Sequence, residues 1–368
     1  LMRFNEIIKN LPVYEAGKPI ELVAKDFKIN PKKIIKLASN ENPFGSSPLA
    51  IKAIKKAAKR ANLYPDDSYH ELKNALAKKF ELKSENFIIG SGSDEVIEFA
   101  LGAVCNDKLG ILTAGVSFGM YGVYASHIGA PHFKTKSQKH DLAELLELYE
   151  KHKNSIGVVI LCLPNNPLGE CENASEIENF ITKIDKNTLI MLDCAYMEFA
   201  SFKDSKKAIN PKKLVRNFEN VLYLGTFSKA YGLGGMRVGY GIANDEIIKS
   251  LHKLRPPFNI STPSLACAIA ALNDENFIIK TLKNNLQEMK KYENFANKKG
   301  IEFIPSYTNF ITFKLSHKHD STKLCDVLLS RGIILRNLKS YDLNAVRITI
   351  GTKEQNKKVL KELDGLFS

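Results

Sequence analysis

The stretch Thr226-Phe227-Ser228-Lys229-Ala230-Tyr231-Gly232 places a lysine directly after an apolar strand pattern, with Arg237 eight residues further on. A strand-end position hemmed by small residues strips water from an amine. That lowers its pKa and frees it to attack a carbonyl. The hydroxyls of Thr226 and Ser228 and the Arg237 guanidinium form a set suited to a phosphate dianion beside it. Asp193 closes the run Thr188-Leu189-Ile190-Met191-Leu192, ahead of Cys194, Ala195 and Tyr196. A carboxylate buried there is costly unless a cation or hydrogen bonds answer it, although a helix cap or structural ion pair also suits the position. Asn166 lies in Pro164-Asn165-Asn166-Pro167-Leu168-Gly169, either a plain Pro/Gly turn or an amide aimed at a ring hydroxyl or phenolate. Ser91-Gly92-Ser93 joins a strand pattern to a helix pattern. Backbone amides at such a helix start bind phosphate, unless Ser93 or Asp94 merely caps them.

These groups need a scaffold, and the sequence patterning supplies one. From about residue 86, short apolar runs (NFIIG, KLGILTA, IGVVILCLP, TLIMLD, NVLYLGT, RVGYGIA) alternate with amphipathic helical stretches. Buried strands separated by helices predict an α/β fold with a mostly parallel central sheet covered on both faces. Such sheets bind ligands at the carboxyl ends of their strands, where the polar groups above fall. Beyond residue 260 the pattern changes to helices over 263–274 and 275–299, TNFITFKL, a helix over 320–330, GIILR, AVRITI and a final helix. The expected division is an N-terminal arm over 1–35, packed on the smaller domain or a partner chain, a large domain over 36–260 and a small α+β domain over 261–368.

Composition narrows the function classes. The chain has 368 residues, enough for two packed units, with 44% hydrophobic and 25% charged residues. Its net charge of +13 sits on amphipathic helices such as LAIKAIKKAAKRAN, without an aromatic-interleaved basic stripe, so nucleic acid is not an expected partner. No run approaches the length of a membrane helix, and LMRFNEIIKNLPVYEAGK lacks the apolar core of a signal peptide. Six scattered cysteines without a CxxC pair point to a reduced, cytoplasmic setting, and no histidine cluster suggests a metal.

Taken together, the four chemical segments resemble the fold-type-I pyridoxal 5'-phosphate (PLP) transferases. NNPLG, D-x-A-Y, SK and the Arg eight residues later occur in the family's order, and SNENPFG, YPD and R-I-T-I-G-T extend the match over almost the whole chain. The nearest subgroup is the histidinol-phosphate aminotransferases. The resemblance implies that Lys229 carries the cofactor and shuttles the proton, that Asp193 pairs with the pyridine nitrogen, and that Asn166 and Tyr196 contact the ring oxygen. It implies stacking by Phe118 and a phosphate held by Ser91, Gly92, Ser93, Thr226, Ser228, Arg237 and, from a neighbouring subunit of a homodimer, Tyr64. Four positions depart from the pattern: Phe118 stands for tyrosine, Leu168 for threonine, Cys194 for glutamate, and the phosphate turn reads SGSD.

Substrate choice rests on anion-binding groups. Arg347 opens R-I-T-I, where the superfamily places its carboxylate-binding arginine, and Arg336 ends GIILR nearby. Two arginines make a bidentate site for phosphate or carboxylate. Tyr14 resembles the N-terminal tyrosine that contacts a substrate phosphate. The resemblance therefore implies transfer of an amino group from L-histidinol phosphate to 2-oxoglutarate in histidine biosynthesis, giving imidazole-acetol phosphate and L-glutamate. Rival readings are an aromatic or broad-specificity aminotransferase, a phosphothreonine-type decarboxylase of the same fold, and a basic nucleic-acid-binding or regulatory protein on this scaffold.

Overall fold

A computed structural model describes residues 2–4, 6–9, 11 and 19–367 of the chain. A short strand β1 (Ile35–Lys36) precedes the main sheet of β2 (Phe87–Gly90), β3 (Gly110–Thr113), β4 (His132–Lys134), β5 (Ile156–Cys162), β6 (Leu189–Asp193), β7 (Val221–Thr226) and β8 (Gly239–Ile242). The spatial order is β2-β8-β7-β6-β5-β3-β4. Only β8 runs against the others, pairing antiparallel with both β7 and β2.

Both faces of this sheet are dry, and the strands show how. Along β5, Val159 and Leu161 enter one apolar cluster while Val158, Ile160 and Cys162 enter the other. Successive side chains alternate between faces, so a strand covered by helices on both sides must be apolar at every position. Burying each Val, Leu or Ile contributes about 1.5–3 kcal/mol, which holds the strand ends still against one another. The same alternation in β6 sends Met191 and therefore Asp193 toward one face and Leu192 toward the other.

The rest of the chain forms β9 (Glu302–Phe303), β10 (Phe310–Lys314), β11 (Ile333–Ile334), β12 (Arg336–Asn337) and β13 (Ala345–Thr349). Strands β12-β13-β10-β9 make an antiparallel sheet. Its core includes Ile311, Phe313, Val346 and Ile348, with Met289 and Tyr292 from the helix Glu275–Lys299. The preceding helix Thr262–Leu272 packs elsewhere, placing Leu265, Cys267, Ala268 and Ala271 in the core of the seven-stranded sheet. Strand β1 pairs in parallel with β11, and the helix Ile20–Phe27 buries Val23 beside Ile34, Ala38 and Ile334. Among the described residues no helix is long and apolar enough to cross a membrane.

Candidate active site

The carboxyl edge of the main sheet gathers the chemistry. Strands β5, β6 and β7 end side by side, with Cys162 opposite Asp193 and Asp193 opposite Leu224. Strand β8 begins at the same edge, because Gly239 is registered against both Thr226 and Gly90. Arg237, two residues before β8, is thereby brought to the end of β2, where the helix Gly92–Val104 starts. One cavity is lined by Gly92, Ser93, Phe118, Asn166, Asp193, Tyr196, Thr226, Ser228, Lys229 and Arg237. Residues from six separate segments of the sequence thus meet in one place.

Lys229 follows β7 in a loop tied to itself: Phe227 N–H donates to Val238 O (3.0 Å), Leu233 N–H to Phe227 O (3.0 Å) and Gly232 N–H to Lys229 O (3.1 Å). Its ammonium stands 5.7 Å from the Tyr196 ring centroid. Loss of water, and then the Arg347 charge, lower its pKa from 10.5 to about 8. Asp193 is 4% exposed, and burial pushes its carboxyl up to about 6 despite hydrogen bonds from the Tyr121 hydroxyl (2.6 Å) and Ala195 N–H (3.2 Å). A buried carboxylate in that state favours a cationic partner.

At the opposite end of the cavity, Arg237 lies across the helix start. Gly92 has a φ of +76°, left-handed backbone that favours glycine, and a Cβ there would stand 2.5 Å from Arg237 Nη2. Arg237 also meets Asp94 at 3.2 Å. Ser228 N–H is held by the Thr226 hydroxyl at 3.1 Å, which sets the turn into Lys229. Ser91 differs from its neighbours: it does not line the cavity, and its N–H donates to Glu95 Oε2 at 2.6 Å. Along this turn the cavity lining therefore begins at Gly92.

Asn166 and Arg347 are joined directly, Arg347 Nη1 donating to Asn166 Oδ1 at 2.6 Å and Nη2 to Ala38 O at 2.8 Å. Arg336 is registered opposite Arg347 on antiparallel strands, so both side chains leave the same face of the small sheet. Tyr196 receives a hydrogen bond from Asn40 Nδ2 at 2.8 Å, and burial raises its pKa. Tyr64 is outside this cavity: it is 82% exposed and packs on Phe258 with ring centroids 4.8 Å apart. Tyr14 lies outside the described residues.

Several contributors escaped the sequence reading. Tyr121 is 1% exposed and reaches Asp193 because both belong to the same face of the sheet. Asp94, Cys162 and Ala195 also line the cavity. The alternation along β6, followed one residue past Leu192, was the available signal for the face that Asp193 presents. Nothing in the sequence indicated which helix covers that face.

Residues 32–363 match the family model for aminotransferase class I and II. The chain belongs to this family. It is 61% identical, over 366 residues and the full length of both chains, to a histidinol-phosphate aminotransferase of Campylobacter concisus. It is 57% identical, again over the full length of both, to one from Campylobacter hominis. Among solved structures it resembles the histidinol-phosphate aminotransferase from Sinorhizobium meliloti in complex with pyridoxal-5'-phosphate, with a TM-score of 0.89 at 25% identity, covering 100% of this chain and 98% of that one. The fold-type-I PLP transferase architecture expected from the sequence is therefore established, and PLP is the cofactor.

The site fits that cofactor on its own terms. It offers a lysine of lowered pKa, a buried carboxylate suited to a cationic ring nitrogen, and a helix start joined to an arginine and a serine for a phosphate. One consequence concerns pH. The rate at which the cofactor-free chain captures PLP in a borohydride-reducible bond should rise with pH and flatten above about 8, because the neutral amine is the nucleophile. A rate still climbing toward 10.5, as for an ordinary lysine, would show that the Lys229 amine is fully hydrated.

Proposed function

We propose that this PLP-dependent aminotransferase moves the amino group of L-histidinol phosphate to 2-oxoglutarate, giving imidazole-acetol phosphate and L-glutamate. The observation that carries the reading is the full-length identity of 61% to a histidinol-phosphate aminotransferase. The site geometry is consistent with each role this reaction needs. When bound, PLP supplies a reactive aldehyde carbon and a ring that accepts the electron pair released at the substrate Cα. Lys229 Nζ would hold the cofactor at rest; once the substrate amine takes its place on the cofactor, the freed Lys229 amine would serve as the base and acid that moves the substrate Cα proton. Asp193 holds a proton on the ring nitrogen, with Tyr121 fixing its carboxylate. Asn166 and Tyr196 would orient the ring oxygen, Phe118 would pack against the ring, and Gly92, Ser93, Thr226, Ser228 and Arg237 would hold the phosphate.

Arg347 and Arg336 form the anion site for both half-reactions, with Tyr14 added for the phosphate substrate. Arg347→Ala should weaken L-glutamate and L-histidinol phosphate alike, whereas Arg336→Ala and Tyr14→Phe should weigh more on the phosphate substrate. A phosphate dianion presents more oxygens and charge than a carboxylate, and losing one donor to a charged group costs about 1.5–3 kcal/mol, roughly ten- to a hundredfold in affinity. Single-turnover absorbance changes with each amine measure this. Equal losses for both amines in all three variants would mean that no phosphate-selective subsite exists.

The same reading makes the active form a homodimer in the cytoplasm. Tyr64 and Phe258 are exposed on the single chain and pack on each other, a surface suited to a second copy whose cavity Tyr64 completes. Sedimentation at assay concentration should find dimers; fully active monomers would contradict composite sites. All six cysteines are free, which accords with a reducing compartment. The three-part division at residues 35 and 260 stands as a proposal. The packing of Thr262–Leu272 on the main sheet favours placing the second boundary after that helix.

A further inference from the structure

Behind the phosphate end of the cavity lies a chain of polar groups that the reaction does not use. Glu95, in the first turn of the helix Gly92–Val104, accepts on one oxygen both Ser91 N–H (2.6 Å) and Asn259 Nδ2 (2.5 Å). Asn259 Oδ1 in turn accepts from the Tyr69 hydroxyl (2.5 Å) and from Arg255 Nη1 (3.0 Å). The Arg255 guanidinium is gripped by both carboxylate oxygens of Asp67, at 2.8 and 2.9 Å, and lies 5.0 Å from the Tyr69 ring centroid. Asp67 also accepts Phe258 N–H at 2.6 Å. Two residues of this assembly, Tyr69 (φ +52°) and Phe258 (φ +58°), hold left-handed backbone that bulky side chains rarely adopt. Such conformations persist where surrounding contacts over-determine them.

The arrangement has a directional consequence. Glu95 takes Ser91 N–H, and the residues that follow it, Gly92 and Ser93, line the cavity. A carboxylate can take several orientations, and Asn259 selects one of them. Asn259 is itself locked by Tyr69 and Arg255, and Asp67 holds the arginine.

We propose that Glu95, Asn259 and Arg255 are positioning residues that hold the phosphate-binding turn in its receptive shape, without touching the cofactor. This rests on the reading of Gly92, Ser93 and Arg237 as part of the phosphate site. It requires that the relay act on the phosphate and not on the rest of the cofactor.

The test compares PLP with pyridoxal, which lacks the phosphate, by titrating the cofactor-free protein and following tyrosine fluorescence and absorbance. In the wild-type chain PLP should bind far more tightly than pyridoxal. Asn259→Ala and Glu95→Ala should lower that preference about tenfold or more while pyridoxal affinity stays nearly unchanged, since a strong hydrogen bond to the turn's organiser is lost. Glu95→Gln retains an acceptor for Ser91 N–H and should recover most of the preference. If one alanine variant folds poorly, the other carries the test. A preference unchanged in all three variants overturns the relay. An equal fall for both ligands overturns it too, because the damage would then be general. A wild-type chain that does not prefer PLP would instead overturn the phosphate-site reading beneath it.

Discussion

Lys229→Ala should fold as the wild type does and bind PLP, but borohydride reduction should leave no cofactor on the protein and turnover should fall by about 10² to 10⁴-fold or more. The size follows from two losses at one atom. The amine that bonds the cofactor is gone, and so is the base that stands where the substrate Cα proton must move. Burial and then the Arg347 charge lower its pKa to about 8, which raises the share of neutral amine near neutral pH. The fold should tolerate the change. The neighbouring loop is tied by its own backbone bonds, from Phe227 to Val238 and from Leu233 to Phe227, none of which involves the lysine side chain. Mapping the reduced wild-type protein should find PLP on Lys229 alone; cofactor on another lysine would move the active site.

Asp193→Asn should keep PLP bound yet lower the rate of Cα proton removal by a comparable factor. A neutral amide no longer favours a protonated ring nitrogen, and the electron sink weakens with it. The buried setting enlarges the effect. With its pKa pushed up to about 6, Asp193 stays charged at neutral pH only at some cost, which a cationic partner offsets. Stopped-flow measurement of the first half-reaction separates this from binding. A near-normal rate would make Asp193 a structural residue that merely joins β6 to Tyr121.

Much of this site was legible because its groups follow strands that announce themselves. The runs ending at Cys162, Asp193 and Thr226 are buried at every position and apolar up to their last residue, as strands covered on both faces must be, and their ends mark a ligand edge. The edge strand His132–Lys134 was missed: it has three residues, none of them fully buried, so it carries neither length nor apolar signal. The helix Ile20–Phe27 escaped for a related reason, since it buries only Val23. Ser91 was placed among the phosphate ligands because a sequence does not tell which amide of a turn is already bonded, and here Glu95 takes it. Tyr121, Asn259 and Arg255 act through contacts between distant segments, which no local pattern encodes. Arg336 and Arg347 lie eleven residues apart and become partners only through the pairing of β12 with β13.

The most direct test supplies the purified, PLP-loaded protein with 2-oxoglutarate and, in turn, L-histidinol phosphate, L-phenylalanine and O-phospho-L-threonine. Glutamate, keto product and carbon dioxide are followed together. L-histidinol phosphate should give glutamate and imidazole-acetol phosphate in equal amounts, with kcat/KM well above the phenylalanine value and no carbon dioxide from any amine. A higher kcat/KM with phenylalanine would make the chain an aromatic aminotransferase, and carbon dioxide released from phosphothreonine would replace amino transfer with decarboxylation.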